Sequence, residues 1–441
     1  MTALRLSNRT AQALPAKVAA PRYDRGTVTP GIVHLGVGAF HRAHQAAYID
    51  ECLAAGETGW GITGVSLRSA DTRDALAPQD GLYTLAVRGS GGEKLHVIGS
   101  IGSLLVAPED PAAVLAGTPP FTVLCCDNLP ANGATLHRLL VEFASLRDAR
   151  PGSAGGAGIA GHIADQVAFP SSMVDRIVPA TTDADRARIS GELGIEDAWP
   201  VMTEPFRQWV IEDDFPAGRP AWEKFGVTMV GDVAPFEDMK LRLLNGAHSG
   251  IAYLGLLSGH ATVDGAFADP AIRRFVDALW EEAKSTLPDD AGLDTSAYTA
   301  ELAERFSNTA LAHRTAQIAN DGSQKLPQRI IASAIECLEA GTELVHLTLV
   351  VAAWIAACAA RGKSLPRGHF TDPLDAELTA LLDQQLPANE TVTAVFDLAG
   401  FAGDHAERQT LIDLVAIHLV HLRRDGTTLA FAALGIDGEG P

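Results

Sequence analysis

A lysine, an asparagine and a histidine interrupt the apolar run MKLRLLNGAHSG that begins at Met239. If a helix runs through PFEDMKLRLLNGAHSGIAYLG at about 100° per residue, Glu237, Lys240 and His248 share an arc of roughly 80°, and Asn245 lies about 140° from Lys240. Such a polar face suits removal of hydride from a secondary alcohol, which needs a base for the hydroxyl proton and donors for the charge developing on oxygen. Lys240 is the candidate base and can act only when neutral. Burial in an apolar cleft and a nearby positive nicotinamide would both favour the neutral amine. Asn245 can donate to the oxygen, His248 can orient the substrate, and Glu237 can pass the proton to water. The same residues also have a purely structural reading: Lys240 snorkels, Asn245 caps a helix break before Gly246, and His248 is a satisfied core histidine.

Hydride needs an acceptor, and HLGVGAFHRAHQ offers a place for one. Gly36 and Gly38 fall between an apolar strand and a helix, where glycine lets the backbone turn tightly and approach a pyrophosphate. His41 replaces the third glycine of the usual dinucleotide pattern. Phe40, His41 and Arg42, on the first turn of that helix, are candidates to surround the cofactor. Past the second strand, WGITGVSLR, Asp71 in SADTRD can accept from the ribose hydroxyls, which favours NAD over NADP. Asp71 lies further from Gly38 than the usual spacing, has Arg68 nearby, and also reads as a helix N-cap. His41 and His44 form an HxxH pair with no third ligand in a recognisable relation, so no metal site is expected.

These residues need two kinds of scaffold. The first half alternates β-rich runs (GIVHLGVG, WGITGVSLR, LYTLAVR, KLHVIGSI, FTVLCCD) with helical patterns such as HQAAYIDECLAAG and DPAAVLAG, the signature of a parallel α/β sheet. PGSAGGAGIAGH reads as a loop, because strand-like VAFPSSMVDRIVP and VMTEPFRQWVIED follow it. After about Pro235 long amphipathic or wholly apolar segments take over. The expected organisation is an α/β Rossmann-type, NAD-binding domain over residues 1–235 and an all-α, substrate-binding and catalytic domain over 236–441.

Composition narrows the partners. A net charge of -20 over 441 residues would repel nucleic acid and anionic membranes over most of the surface. Five cysteines without CxxC spacing fit a reducing, cytoplasmic setting. LTLVVAAWIAACAA, from Leu347, is too short for a bilayer span and reads as a buried helix. The N-terminus has no sustained apolar core of a secretory signal.

GVGAFHRAHQA, CDNLPANG, FPSSMVDRIVP, TEPFRQWVIED and MKLRLLNGAHS, in that order, make the chain resemble the polyol-specific long-chain dehydrogenases, the mannitol dehydrogenase family. The resemblance implies a Rossmann-type domain followed by a helical one, an active site in the cleft between them, and no metal. It assigns the catalytic lysine to Lys240, the carbonyl-binding asparagine to Asn245, the substrate-positioning histidine to His248 and the proton-exit glutamate to Glu237. Asp175 would bind substrate hydroxyls, and a second oxyanion asparagine would be Asn128 or Asn132. Lys325, in ANDGSQKLPQR, matches a substrate-binding lysine. Gln317 stands where mannitol dehydrogenases carry arginine, and the run RFSNTALAHRTAQIANDGSQKLPQR looks more like the fructuronate reductase, or D-mannonate oxidoreductase, branch. A substrate carboxylate there would want a cation, and Arg314, Lys325 or Arg329 could supply it.

The expectation is therefore an NAD-dependent oxidoreductase of a small sugar alcohol or sugar acid, leaning to D-mannonate and D-fructuronate, with D-mannitol and D-fructose the alternative and a monomer expected. A hydroxy-acid dehydrogenase fits less well, because its asparagine usually follows the lysine by one turn and here stands five residues on. A dinucleotide sensor without chemistry would not need Lys240, Asn245 and His248 together.

Overall fold

The computed structural model describes residues 4–106, 121–149, 158–288, 293–366 and 368–433. The expected DPAAVLAG helix and residues 151–157 of PGSAGGAGIAGH lie outside the described residues; the end of that stretch, IAGH, is not loop as expected but starts the helix Ile159–Gln166. The chain divides into two compact units, Met1–Ala234 and Pro235–Pro441.

The first unit carries a parallel three-stranded sheet in which Gly61–Ser66 lies between Pro30–Leu35 and Ile101–Val106. The run KLHVIGSI divides between two strands, Gly92–Ile98 and Ile101–Val106. The break falls where the Gly99 N–H donates to Asp50 at 2.8 Å and Ser100 Oγ donates to the Ala46 carbonyl, also at 2.8 Å. Gly92–Ile98 turns back antiparallel on Tyr83–Gly89, and Gly92, at φ +106°, makes that tight turn with a backbone conformation that favours glycine. Val18–Ala19 and Val201–Thr203 complete this second sheet. A third pairs Gln208–Glu212 with Ser172–Asp175 and Thr228–Val230.

FTVLCCD does not form the expected strand; it makes a single bridge, Thr122 to Ala168. Beyond Val123 its backbone finds side-chain partners instead. The Cys125 carbonyl accepts from Ser172 Oγ at 2.6 Å, which satisfies the chain without a ladder.

The second unit is helical, with no named strand among its described residues. The apolar run from Leu347 forms the helix His346–Ala360, and Leu349, Val350, Ala352, Ala353 and Trp354 on it are fully buried. Burying a leucine or valine side chain of this kind contributes about 1.5–3 kcal/mol relative to exposure. Glu282 closes the helix start: its carboxylate accepts the N–H groups of Val345, His346 and Leu347 at 2.8–3.0 Å. No helix among the described residues is long and apolar enough to cross a membrane.

Candidate active site

In the first unit the glycine turn is built as its sequence requires. Gly36 has φ +88°, and the space its missing β-carbon would occupy is open. Its N–H donates to the Val65 carbonyl at 2.8 Å, and Gly38 begins the helix Ala39–Ala43. The helix kinks at His44 before resuming as Gln45–Ala54. Two carbonyls at the kink find outside donors: Tyr83 Oη donates to Arg42 O at 2.6 Å, and the Arg176 guanidinium donates to Ala43 O. Arg176 belongs to the sequence stretch MVDRI, so this bond ties that stretch to the glycine-turn helix. Asp175 beside it is buried at the end of its strand.

Two of the candidate cofactor residues are placed differently from expectation. Arg42 is buried, donates to the Trp199 carbonyl at 2.5 Å and lies over the Tyr83 ring. Burial pushes its guanidinium down to about 10. His41 is buried and stacked on His34, with its pKa held far below the usual value by desolvation. Both side chains thus pack beneath the turn; a solvent-facing phosphate ligand would need the opposite orientation. Phe40 is half-buried and stacks on His44, whose Nε2 pairs with the Gln208 carbonyl at 2.8 Å. Asp71 is exposed at the first position of the helix Asp71–Leu76 and does not act as its N-cap. His41 and His44 belong to no cluster of three metal-ligating side chains among the described residues.

The choice between Asn128 and Asn132 turns on burial. The Asn132 amide nitrogen donates to the carbonyls of Ser172 at 2.7 Å and Asp127 at 3.0 Å, while its oxygen accepts the Ser172 N–H at 3.0 Å. Both amide protons are used, so Asn132 has none to offer an oxyanion. It clamps the CDN turn onto the Ser172–Asp175 strand. Asn128, four residues earlier on that turn, is exposed.

In the second unit the opening stretch is not a plain α-helix. Ala234–Met239 is α-helical, Lys240–Asn245 is a π-helix, and Gly246–Leu257 is α-helical again. The Gly246 N–H reaches back five residues to the Leu241 carbonyl. Five residues therefore make slightly more than one turn, and Asn245 comes round towards the side of Lys240 instead of the roughly 140° that α geometry gives. Lys240 and His248 are each 7% exposed, while Asn245 and Glu237 are half-buried. The Asn245 side-chain amide makes no hydrogen bond among the described residues.

His248 Nε2 is buried with no hydrogen-bond partner. Its ring lies 4.8 Å from that of Phe306 and edge-on to His313 at 5.8 Å. Burial, then the neighbouring His313, Arg305 and Arg329, hold His248 well below its usual pKa, and burial pushes His313 down to about 4. A neutral imidazole with a free ring nitrogen in a dry site can hydrogen-bond a ligand hydroxyl.

The DGSQK stretch is pinned in place. Ser323 donates through N–H and Oγ to Asp372 at 2.8 and 2.6 Å, and the Asp321 N–H donates to the Thr371 carbonyl. A side chain on Gly322 would strike Trp354 Nε1 at 2.3 Å. Lys325 follows on the helix Gly322–Leu326, and a second π-helix, Pro327–Ile331, carries Arg329. Arg314 is exposed at the start of the helix Thr315–Ile318. His313, Arg305 and Ser249 enter this neighbourhood without having been singled out in the sequence. His313 and Arg305 had a signal, since both lie in the quoted run RFSNTALAHRTAQIANDGSQKLPQR, which Arg305 opens; Ser249 lies in the opening stretch beside His248.

Residues 30–117 and 112–224 match the mannitol dehydrogenase Rossmann domain, and residues 232–422 match the mannitol dehydrogenase C-terminal domain. The chain belongs to the mannitol dehydrogenase family. It is therefore an oxidoreductase of the kind that acts on CH–OH groups. The mannitol 2-dehydrogenase of Pyrenophora tritici-repentis is 39% identical over 76% of this chain and 70% of that protein. The D-mannonate oxidoreductase of Escherichia coli is 36% identical over 95% of this chain and 98% of its own. Among solved structures, the ternary complex of Pseudomonas fluorescens mannitol 2-dehydrogenase with NAD and D-mannitol is 32% identical, with a TM-score of 0.86 over 99% of this chain and 100% of that one.

Proposed function

We propose that the protein is an NAD-dependent oxidoreductase that interconverts a sugar acid, D-mannonate, with its keto form, D-fructuronate. The observation that carries this reading is the π turn of the second unit, which brings Asn245 towards the buried Lys240, with the unpartnered His248 Nε2 one helical turn further on. Lys240, as the neutral amine, accepts the hydroxyl proton during oxidation and returns it during reduction. Asn245, with Asn128 from the CDN turn, donates to the oxygen as charge develops, and His248 with Asp175 orients the hydroxyl groups. Glu237, one turn before the lysine, relays the proton to water.

NAD, when bound, supplies the hydride acceptor. The turn at Gly36 suits it, because the left-handed backbone and the open space at the missing β-carbon leave room for a pyrophosphate to approach the chain. The exposed Asp71 supports NAD over NADP. We infer a monomeric, cytoplasmic enzyme acting on free small molecules.

The sugar-acid reading is supported by the HRTAQIANDGSQKLPQR run and by the extent of similarity to the E. coli D-mannonate oxidoreductase. D-mannitol and D-fructose remain the second reading, supported by the mannitol 2-dehydrogenase relatives. Following NADH consumption with D-fructuronate, D-tagaturonate and D-fructose side by side, then repeating the best substrate with NADPH, separates them. Preference for D-fructuronate with NADH is expected; preference for D-fructose would make the chain a mannitol dehydrogenase that works without an arginine at Gln317.

A further inference from the structure

Arg329 differs from the other cations of its region. Lys325 pairs with Asp321 at 3.5 Å and donates to the Asn320 carbonyl at 2.8 Å. Arg242 pairs with Glu336 at 2.5 Å on the first π segment. Arg314 stands in solvent. Arg329 is partly buried, and among the described residues it forms no ion pair; its side chain makes one long hydrogen bond, 3.4 Å to Ser249 Oγ. The region's carboxylates are engaged elsewhere: Asp321 by Lys325, and Asp372 by Ser323 and the Leu374 N–H. A guanidinium withdrawn from water without a counter-charge is unfavourable, and an anionic ligand relieves that.

A second observation points the same way. His248 Nε2, buried and unpartnered, belongs to the residue immediately before Ser249, whose Oγ the Arg329 guanidinium reaches at 3.4 Å. Burial holds the Arg329 guanidinium below the ordinary arginine range, as expected where water is scarce. One dry neighbourhood therefore holds an uncompensated cation and a free hydrogen-bonding nitrogen.

We propose that Arg329 is the specificity-determining residue for a carboxylate: its planar fork takes the carboxylate oxygens of a sugar acid while His248 holds a hydroxyl of the same molecule. This rests on reading the second unit as the substrate-binding part of an alcohol oxidoreductase, and it names the residue that separates sugar acids from neutral polyols.

The test is calorimetric titration of the full chain, saturated with NADH, by D-mannonate and by D-mannitol. Ligand and cofactor are then both reduced, so binding is read without turnover. D-mannonate should bind the wild type at least about tenfold more tightly than D-mannitol, and Arg329→Gln should weaken D-mannonate by roughly 30- to 100-fold while weakening D-mannitol less than about 3-fold. Arg329→Lys, which keeps the charge and loses the fork, should fall between. Equal losses on both ligands, unchanged D-mannonate affinity, or no D-mannonate binding by the wild type would overturn the proposal. The oxidoreductase reading is tested separately by turnover. Carboxylate selectivity that depends on Arg329, with no reduction of any keto sugar, would sink that reading alone; turnover of D-fructuronate with unaltered binding by Arg329→Gln would sink this inference alone.

Discussion

Gly246 lies against the backbone of Arg329: a β-carbon at Gly246 would stand 3.3 Å from the Arg329 carbonyl oxygen and 3.6 Å from Ile330 Cδ1. Gly246 directly follows the first π segment and Arg329 lies within the second, so this contact sets the spacing between the element that carries Lys240, Asn245 and His248 and the one that carries Arg329. Gly246 has ordinary helical angles, so alanine there gains about 1 kcal/mol of helix propensity, which offsets the small shift the neighbour must make. Gly246→Ala should melt within about 4 °C of the wild type yet turn over roughly tenfold more slowly. Thermal melts beside steady-state kinetics decide it. A large loss of Tm with normal turnover would make the contact structural only.

Lys240→Ala removes the proposed base from a position that is 7% exposed. Turnover should fall by about 10²–10⁴ while NADH binding, followed by fluorescence, persists. Near-normal turnover would rule out the lysine mechanism.

The two asparagines of CDNLPANG should separate by phenotype. Asn132→Ala leaves the buried Ser172 N–H and carbonyl without partners, at a cost of about 1–3 kcal/mol for each group. A marked drop in Tm is expected. Asn128→Ala, at an exposed position, should leave Tm within about 2 °C and lower kcat by roughly 10²-fold, the cost of a lost oxyanion donor. The reverse pattern would exchange their roles.

Acid should destabilise the fold. Burial pushes His44 down to about 3 and His418 down to about 4, and it holds His41 and His248 far below the usual value. In the unfolded chain each titrates near 6.5, so below that pH the unfolded state binds protons that the folded state refuses. Stability is then fully present above about 6.5 and declines as pH falls, by about 1.4 kcal/mol per pH unit for each such imidazole. Asp50 has the opposite sign: burial raises it to about 6, so below that pH it binds a proton in the fold before the unfolded chain does and offsets one histidine. Denaturant melts at pH 7.5, 6 and 5 should show a progressive loss; a flat profile would mean these rings are protonated in the folded protein.

The amino-acid sequence alone determined the class of the fold, the order of its motifs and the residue types of the chemistry. Those follow from local rules: glycine where φ must be positive, alternation in strands, long apolar runs in helices, and polar groups intruding on an apolar face. Which side chains remain available to a ligand was decided only by tertiary structure. Asn132 and Asn128 look alike in the chain, and burial against Ser172 alone spends one of them. Arg42 and His41 read as cofactor neighbours until packing against Tyr83 and His34 turns them inward. FTVLCCD has strand propensity, and side-chain donors from Ser172 and Asn132 draw its end out of the ladder. KLRLLN carries no local mark of a π turn, because the extra residue is accommodated where two helical elements meet at Gly246 and Arg329. Three cations in one stretch were equivalent by charge; desolvation and the positions of the acids set Arg329 apart, and both depend on which distant residues the fold brings together.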